Sequence, residues 1–254
     1  MKAHAAVVVE CRRGRSRCTT LRSAPPITLR VTPEGLHLVG TAAGPVGGDQ
    51  LTLEVTVASD ASLTLRSVAA QLVLPGPTPA ASSLRLVVRV GRGARLHWLT
   101  EPTIVVAGAD HRIDTTIELD TGAELVWRDE VVLGRHKEPG GSLRQRLRVE
   151  RAGRPLLCTE VALGPRWPTS HGPAGVGDAR VVASTLLVGA PARRALERRA
   201  EEAGRPNEPV RRAAFSLAED AVLLSALAPD VDGARTGVGS WEAGPADAPR
   251  PVWP

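Results

Sequence analysis

One short turn occurs three times in the middle of this chain, and the strands flanking it leave few folds open. Val57-Ala58-Ser59-Asp60-Ala61-Ser62-Leu63 lines up with Val90-Gly91-Arg92-Gly93-Ala94-Arg95-Leu96 and with Leu119-Asp120-Thr121-Gly122-Ala123-Glu124-Leu125. The intervals are 33 residues from Ala61 to Ala94 and 29 from Ala94 to Ala123. Each unit has a strand of alternating apolar residues, a tight turn with Gly or Asp before Ala, and a second strand such as Leu96-His97-Trp98-Leu99 or Leu125-Val126-Trp127. A unit of this size has no second layer on which to bury its apolar face, so successive units must stack. The expected fold is mainly β: an elongated, β-helix-like stack of short strands, with one or two short helices near the C-terminal part.

The other segments fit around that stack. Ala5 to Val9, the arginine-rich turn Arg12 to Ser16, and Cys18 to Leu21 read as an opening hairpin. The arginines there are interleaved with no aromatic residue, so they read as a solvated hairpin tip rather than a phosphate site. Gly164-Pro165-Arg166-Trp167-Pro168 and His171-Gly172-Pro173-Ala174-Gly175 mark an exposed loop ahead of a strand from Val181 to Val188. A helix follows, with Pro191 suited to its first position, Ala, Arg and Glu filling Ala192 to Ala203, and Gly204 as its stop. Leu196 is the sole large apolar residue in that helix, which places the helix on the surface with Leu196 free for a partner. The apolar residues between Val210 and Ala228 fit one amphipathic helix or a hairpin around Ala218-Glu219-Asp220. From Pro229 the Pro, Gly, Ala and Asp bias shows no apolar periodicity. The division is therefore one β domain over residues 1–228 and a tail over 229–254, short-structured or disordered.

Composition narrows the setting. Hydrophobic residues make up 43% of the 254, enough for a large core, but Phe215 and five Trp are its only aromatic bulk, so Val, Leu and Ala must do the packing. The net charge of +5 points only weakly to nucleic acid, because acidic residues are interleaved with arginines along most of the chain. Three cysteines without a CxxC spacing argue against both a disulfide framework and a zinc knuckle, and fit a reducing compartment. Glu10 and the following arginines interrupt the only N-terminal apolar run, and no stretch approaches the roughly 20 apolar residues of a membrane span. These readings give a cytoplasmic protein with no nucleic-acid and no membrane partner. No G-x-S-x-G elbow, H-E-x-x-H or dinucleotide fingerprint is present, so no nucleophile or base can be named and a non-catalytic role is expected.

Three segments in order, Pro25-Pro26-Ile27 with Gly47-Gly48-Asp49-Gln50-Leu51, then Glu101-Pro102-Thr103-Ile104, then Leu133-Gly134-Arg135, carry a resemblance. With the Gly-Ala-x-Leu turns between them, the chain resembles the UreD (also UreH) family of urease accessory proteins over roughly residues 5–228. The resemblance implies a largely β, helix-like fold with two helices, and strands rather than a helix between Val210 and Ala228. It also implies a complex with UreF and UreG and delivery of nickel to the urease apoprotein. UreG supplies GTP hydrolysis in that family, and no G-x-x-x-x-G-K-[ST] loop occurs here. The chain departs from the family at His136-Lys137-Glu138-Pro139-Gly140-Gly141 and at Ser225, and its Gly-rich tail stands where a second helix should be.

A protein that passes nickel on needs exchangeable ligands, because a closed cage of thiolates and imidazoles would not release the ion. The candidates for a transient nickel path are Asp49, Glu101, Asp110, His111, Asp129, Glu130 and His136, with nickel in transit and no tightly bound cofactor. For each residue alone, a turn cap or a nearby arginine is the better explanation; as a set lining an interior path they make the stronger case. His97 alternates with Leu96 and Trp98 and reads as structural; His4, Cys11 and Cys18 match no common ligand spacing. The rival reading is a β-solenoid module binding protein or carbohydrate without metal, for which Trp98, Trp127 and Trp167 would be the aromatic platforms.

Overall fold

The computed structural model describes residues 1–202 and 210–239, and its strands form two facing sheets. The first runs β14 (Arg154–Leu163), β13 (Ser142–Arg151), β11 (Asp110–Leu119), β8 (Ser82–Val90), β5 (Gln50–Val57), β1 (Lys2–Arg12) and β2 (Arg15–Arg22). The second runs β16 (Arg211–Ala218), β17 (Ala221–Ala228), β15 (Val181–Val188), β12 (Glu124–Leu133), β9 (Arg95–Leu99), β6 (Ser62–Ser67), β4 (Gly35–Gly40) and β3 (Ile27–Thr32). Two short strands, β10 (Thr103–Val105) and β7 (Gln71–Val73), branch from the upper half of β12. β1, β5, β8, β11 and β13 are parallel neighbours, as are β4, β6, β9 and β12. This is a β-solenoid of about four turns with two helices, α1 (Ala190–Glu202) and α2 (Val231–Gly239).

The repeated turn explains the winding. In each copy the alanine N–H donates to the carbonyl three residues back: Ala61 to Ala58 at 3.0 Å, Ala94 to Gly91 at 3.1 Å, Ala123 to Asp120 at 3.1 Å. The residue before the alanine is left-handed, with φ of 59° at Asp60, 64° at Gly93 and 73° at Gly122. Gly takes that conformation freely, and Asp tolerates it better than most residues. The three alanines are buried, and Arg95 and Glu124 donate to the carbonyls of Ala61 and Ala94, each at 2.9 Å, stitching one coil to the next. In-register stacking then sets Trp98 of β9 beside Trp127 of β12, their rings 4.4 Å apart and within 13° of parallel. Both indoles are core, so of the proposed aromatic platforms only half-buried Trp167 remains.

Four expectations need correction or sharpening. Residues 231–239 form α2, the second helix that the resemblance implies, where the residues alone read as a short-structured or disordered tail; Ala234 and Val238 are buried, and the side chains are small because the helix lies close on β15 and β17. Leu196 is half-buried against the core that α1 shares with β12 and β17, because Ala192 and Ala195 let α1 approach the sheet closely. Val210 to Ala228 resolves as strands, with β17 apolar on both faces because one side meets the inter-sheet core and the other the helices. Cys18 lies opposite Val9, and Cys11 opposite Ser16, so the two thiols are not cross-strand neighbours. The stop at Gly204 and the tail beyond Gly239 lie outside the described residues.

Candidate functional site

β12 is the longest strand of its sheet, and its neighbours do not follow it continuously. β9 pairs with residues 124–128, β10 with residues 131–133, and Thr100-Glu101-Pro102 bridges the two outside any strand. Val68 to Ala70 makes the same break between β6 and β7. The break leaves Asp129 and Glu130 in a gap in the sheet, and strand alternation sends them to opposite faces. Asp129 follows Leu125 and Trp127 inward, whereas Glu130 faces α2.

Behind the gap lies a cavity of about 310 Å³ between the sheets. Leu53, Leu86 and Ile113 wall it from one sheet, and Trp98, Glu101 and Asp129 from the other. Val68 and Leu72, 59% and 41% exposed, mark where it opens to solvent. Asp129 accepts a hydrogen bond from Trp127 Nε1 at 2.7 Å. Burial pushes its carboxyl up to about 6, neighbouring Glu130 adds to the rise, and the indole N–H opposes it. This acidic group on an apolar cavity wall sits near the threshold of ionisation at neutral pH.

Glu130 and Glu101 are bridged by one cation. Arg235 Nε donates to both oxygens of Glu130 at 2.9 and 3.1 Å, and its NH2 donates to Glu130 at 2.6 Å and to Glu101 at 2.9 Å. The hydrogen bond to Glu130 outweighs partial burial and holds the guanidinium above its usual range. Glu101 also donates its backbone N–H to Ser67 Oγ at 2.8 Å, which fixes the broken segment.

The remaining candidates lie elsewhere. His111 is fully buried on β11; its Nδ1 lies 2.8 Å from Ser82 Oγ and its Nε2 has no partner. Burial lowers its pKa to about 4, against the opposing pull of Ser82 and Asp110, so the ring is neutral at physiological pH. Asp110, its neighbour, pairs with Arg166. Asp49 is buried between the Met1 ammonium, 2.7 Å from Oδ1, and the Val46 N–H, 2.9 Å from Oδ2. Burial raises its carboxyl, and these two partners more than reverse the effect, holding it below its usual range. His136 is exposed in the turn after β12. The structure thus gathers Glu101, Asp129 and Glu130 and leaves the other four apart; among the described residues no three His, Cys, Asp or Glu side chains form a metal cage. His4 bonds Glu54 and Arg22, away from both cysteines.

Sequence reasoning missed Arg235, Ser82 and the indole donor Trp127. The signal for Arg235 was present: Val231, Ala234 and Val238 are spaced three and four apart, a helical stripe made faint by small side chains.

The fold and site define a class: a two-sheet β-solenoid with both described α-helices on one sheet and a carboxylate-lined cavity between the sheets. The family model for the UreD urease accessory protein matches residues 1–245. Relatives bearing that name include one from Parafrankia sp., 42% identical over 215 residues, 74% of this chain and 72% of its own. Another, from Frankia casuarinae, is 37% identical over 92% of this chain and 78% of its own, and one from Streptomyces avermitilis is 37% identical over 86% of each. The chain belongs to the UreD urease accessory protein family. No helix among the described residues is long and apolar enough to cross a membrane.

Proposed function

We propose that this protein is a non-catalytic scaffold of urease maturation which, with UreF and UreG in the cytoplasm, supports nickel insertion into the urease apoprotein. Family membership over residues 1–245 is the observation that carries this reading. The cavity supports it chemically. Asp129 offers an oxygen donor on the cavity wall, Glu101 a second one that shares Arg235 with Glu130, and His111, on β11 outside the cavity lining, a buried imidazole nitrogen without a partner. Sparse oxygen and nitrogen ligands bind a divalent ion weakly enough to hand it on, which a closed cage would not. Nickel is the cargo, held in passing. Asp110, Asp49 and Glu130 are engaged by cations of the chain itself and act as supports for the walls.

The rival, a stand-alone binding module, loses two of its three aromatic platforms, since Trp98 and Trp127 stack on one another in the core. A tagged copy expressed with the urease operon decides between them. Recovery of UreF, UreG and apo-urease, together with loss of urease activation when the chain is deleted, supports the scaffold. Recovery of none of the three, with activation intact, refutes it. Within that experiment Asp129→Asn is expected to lower nickel incorporation while leaving the recovered complex unchanged.

A further inference from the structure

The two sheets differ in what covers them. α1 packs on β12, β15 and β17, and α2 on β15, β16 and β17, so both helices lie on one sheet. Among the described residues no α-helix covers the outer face of the other sheet, although five of its strands run parallel and parallel sheets ordinarily have both faces covered. Its outward side chains are charged and in register. On β13 Arg144, Arg146 and Arg148 alternate outward, and β11 and β8 add Arg112, Arg85 and Arg89. Against these six arginines the same three strands present Asp110, which pairs with Arg166, and Asp114, Glu118 and Glu150.

Stacking without bulges makes this arrangement costly. Arg112 lies beside Arg144 in register, on strands about 4.8 Å apart, and like charges directly opposite destabilise a sheet. Arg144 is relieved by Glu160 at 2.9 Å and Arg89 by Glu118 at 3.2 Å. Arg85, Arg112 and Arg148 make no ion pair or hydrogen bond among the described residues, and Arg146 Nε is buried without a partner. Across the strands Arg85, Asp114, Arg146 and Glu160 alternate in sign, as an ordinary solvated surface would. Arg112 instead meets Arg144, and Arg148 meets Thr116 and Cys158, so these two guanidinium groups have no carboxylate opposite them in register.

We propose that this face docks a protein partner through a row of carboxylates on the partner, with Arg112 and Arg148 at its centre. The inference rests on the scaffold reading, since it assigns a surface to one of the proteins assembled there. Planar guanidinium forks match carboxylates two bonds at a time, and a flat face of fixed repeat suits an acidic strand or helix laid across it. A nucleic acid fits less well: the outward positions of β8, β11 and β13 hold no aromatic residue to stack on a base, and the interspersed Asp114, Glu118 and Glu150 would repel phosphates.

Full-length chains carrying R112E, R148E or, as a control on the edge strand β3, R30E are co-expressed with the urease operon, and each partner's binding is measured at low and high salt. All three substitutions are at exposed positions, and circular dichroism verifies the fold. The expected result is a loss of at least about tenfold in affinity for one partner with R112E and R148E, no change with R30E, and wild-type binding of that partner that weakens with salt. Unchanged recovery of every partner by R112E and R148E overturns the surface while the scaffold reading stands. Recovery of no maturation protein by the wild-type chain overturns both. Nuclease-sensitive nucleic acid captured in place of protein also overturns the proposal.

Discussion

Arg235, near the end of the described chain, closes on Glu130 in the middle of β12 with three hydrogen bonds of 2.6 to 3.1 Å. The Glu130 side chain is 1% exposed and the Arg235 side chain 33%, so removing the arginine leaves a carboxylate with almost no water and only Arg128 Nε, 3.9 Å away, as a cation. Breaking a fully buried pair costs about 3–5 kcal/mol, and the partial exposure of Arg235 brings the expectation for Arg235→Met nearer about 2 kcal/mol. α2 adds to the sensitivity: Gly233, Gly237 and Gly239 give nine residues little helix propensity of their own. Urea unfolding of Arg235→Met, Glu130→Leu and the double variant checks the account. The double variant is expected to be more stable than Arg235→Met alone; strict additivity would show that the two side chains are not coupled.

Asp129 gives a pH dependence of unusual sign for a carboxylate. With its pKa up at about 6 in the folded protein and in the ordinary carboxylate range when unfolded, the folded state binds its proton more tightly. The contribution to stability is therefore fully present below about pH 4 and is lost as pH rises through about 6. Asp49 acts in the opposite sense, because its lowered pKa contributes stability that disappears as pH falls. Comparing wild type with Asp129→Asn cancels the Asp49 effect. The wild type is expected to lose on the order of 2 kcal/mol relative to the variant between pH 4 and pH 7. A flat difference across that range would mean that Asp129 is ionised on the cavity wall throughout.

The two stacked tryptophans separate packing from hydrogen bonding. Only Trp127 donates to Asp129, at 2.7 Å. Trp127→Phe removes that donor, so the Asp129 pKa should climb above its present value of about 6, whereas Trp98→Phe trims the same stack and leaves the donor in place. Carboxyl-carbon NMR titration reads the difference. Equal titration of Asp129 in both variants would show that the indole bond does not set its ionisation.

The solenoid was legible because its information is local. Three copies of one turn, each with a residue able to adopt positive φ before a small buried alanine, specify the reversal and the stacking without any long-range knowledge. α2 was not legible because its stripe is Val231, Ala234 and Val238, too small to rise above a Gly-rich background; the sheet it lies on determines that size. The candidate site divides the same way. Asp129 and Glu130 could be flagged as adjacent acids after a strand, but which of them faces the cavity depends on strand alternation through a break in the sheet. The cation that holds Glu130 comes from 105 residues away. Spacing along the chain contains no trace of that pairing, nor of Ser82 at the ring of His111, 29 residues earlier.

The repeated turn is itself open to test, because its third position is occupied by different residues under the same backbone demand. Gly93 at φ 64° and Gly122 at φ 73° both favour glycine, so alanine at either position should cost about 1 kcal/mol in backbone conformation. The two differ in surroundings. A Cβ at 93 would come within 2.7 Å of Asp60 Oδ1, the turn of the preceding coil, whereas at 122 the nearest atom is 3.8 Å away. Gly93→Ala is therefore expected to destabilise more than Gly122→Ala in thermal or urea unfolding, and Asp60→Gly, which relaxes the same backbone, to be neutral or stabilising. If Gly93→Ala and Gly122→Ala are equally mild, the coils are not in contact at their turns, and the stacking that organises both sheets must be held by the strands alone.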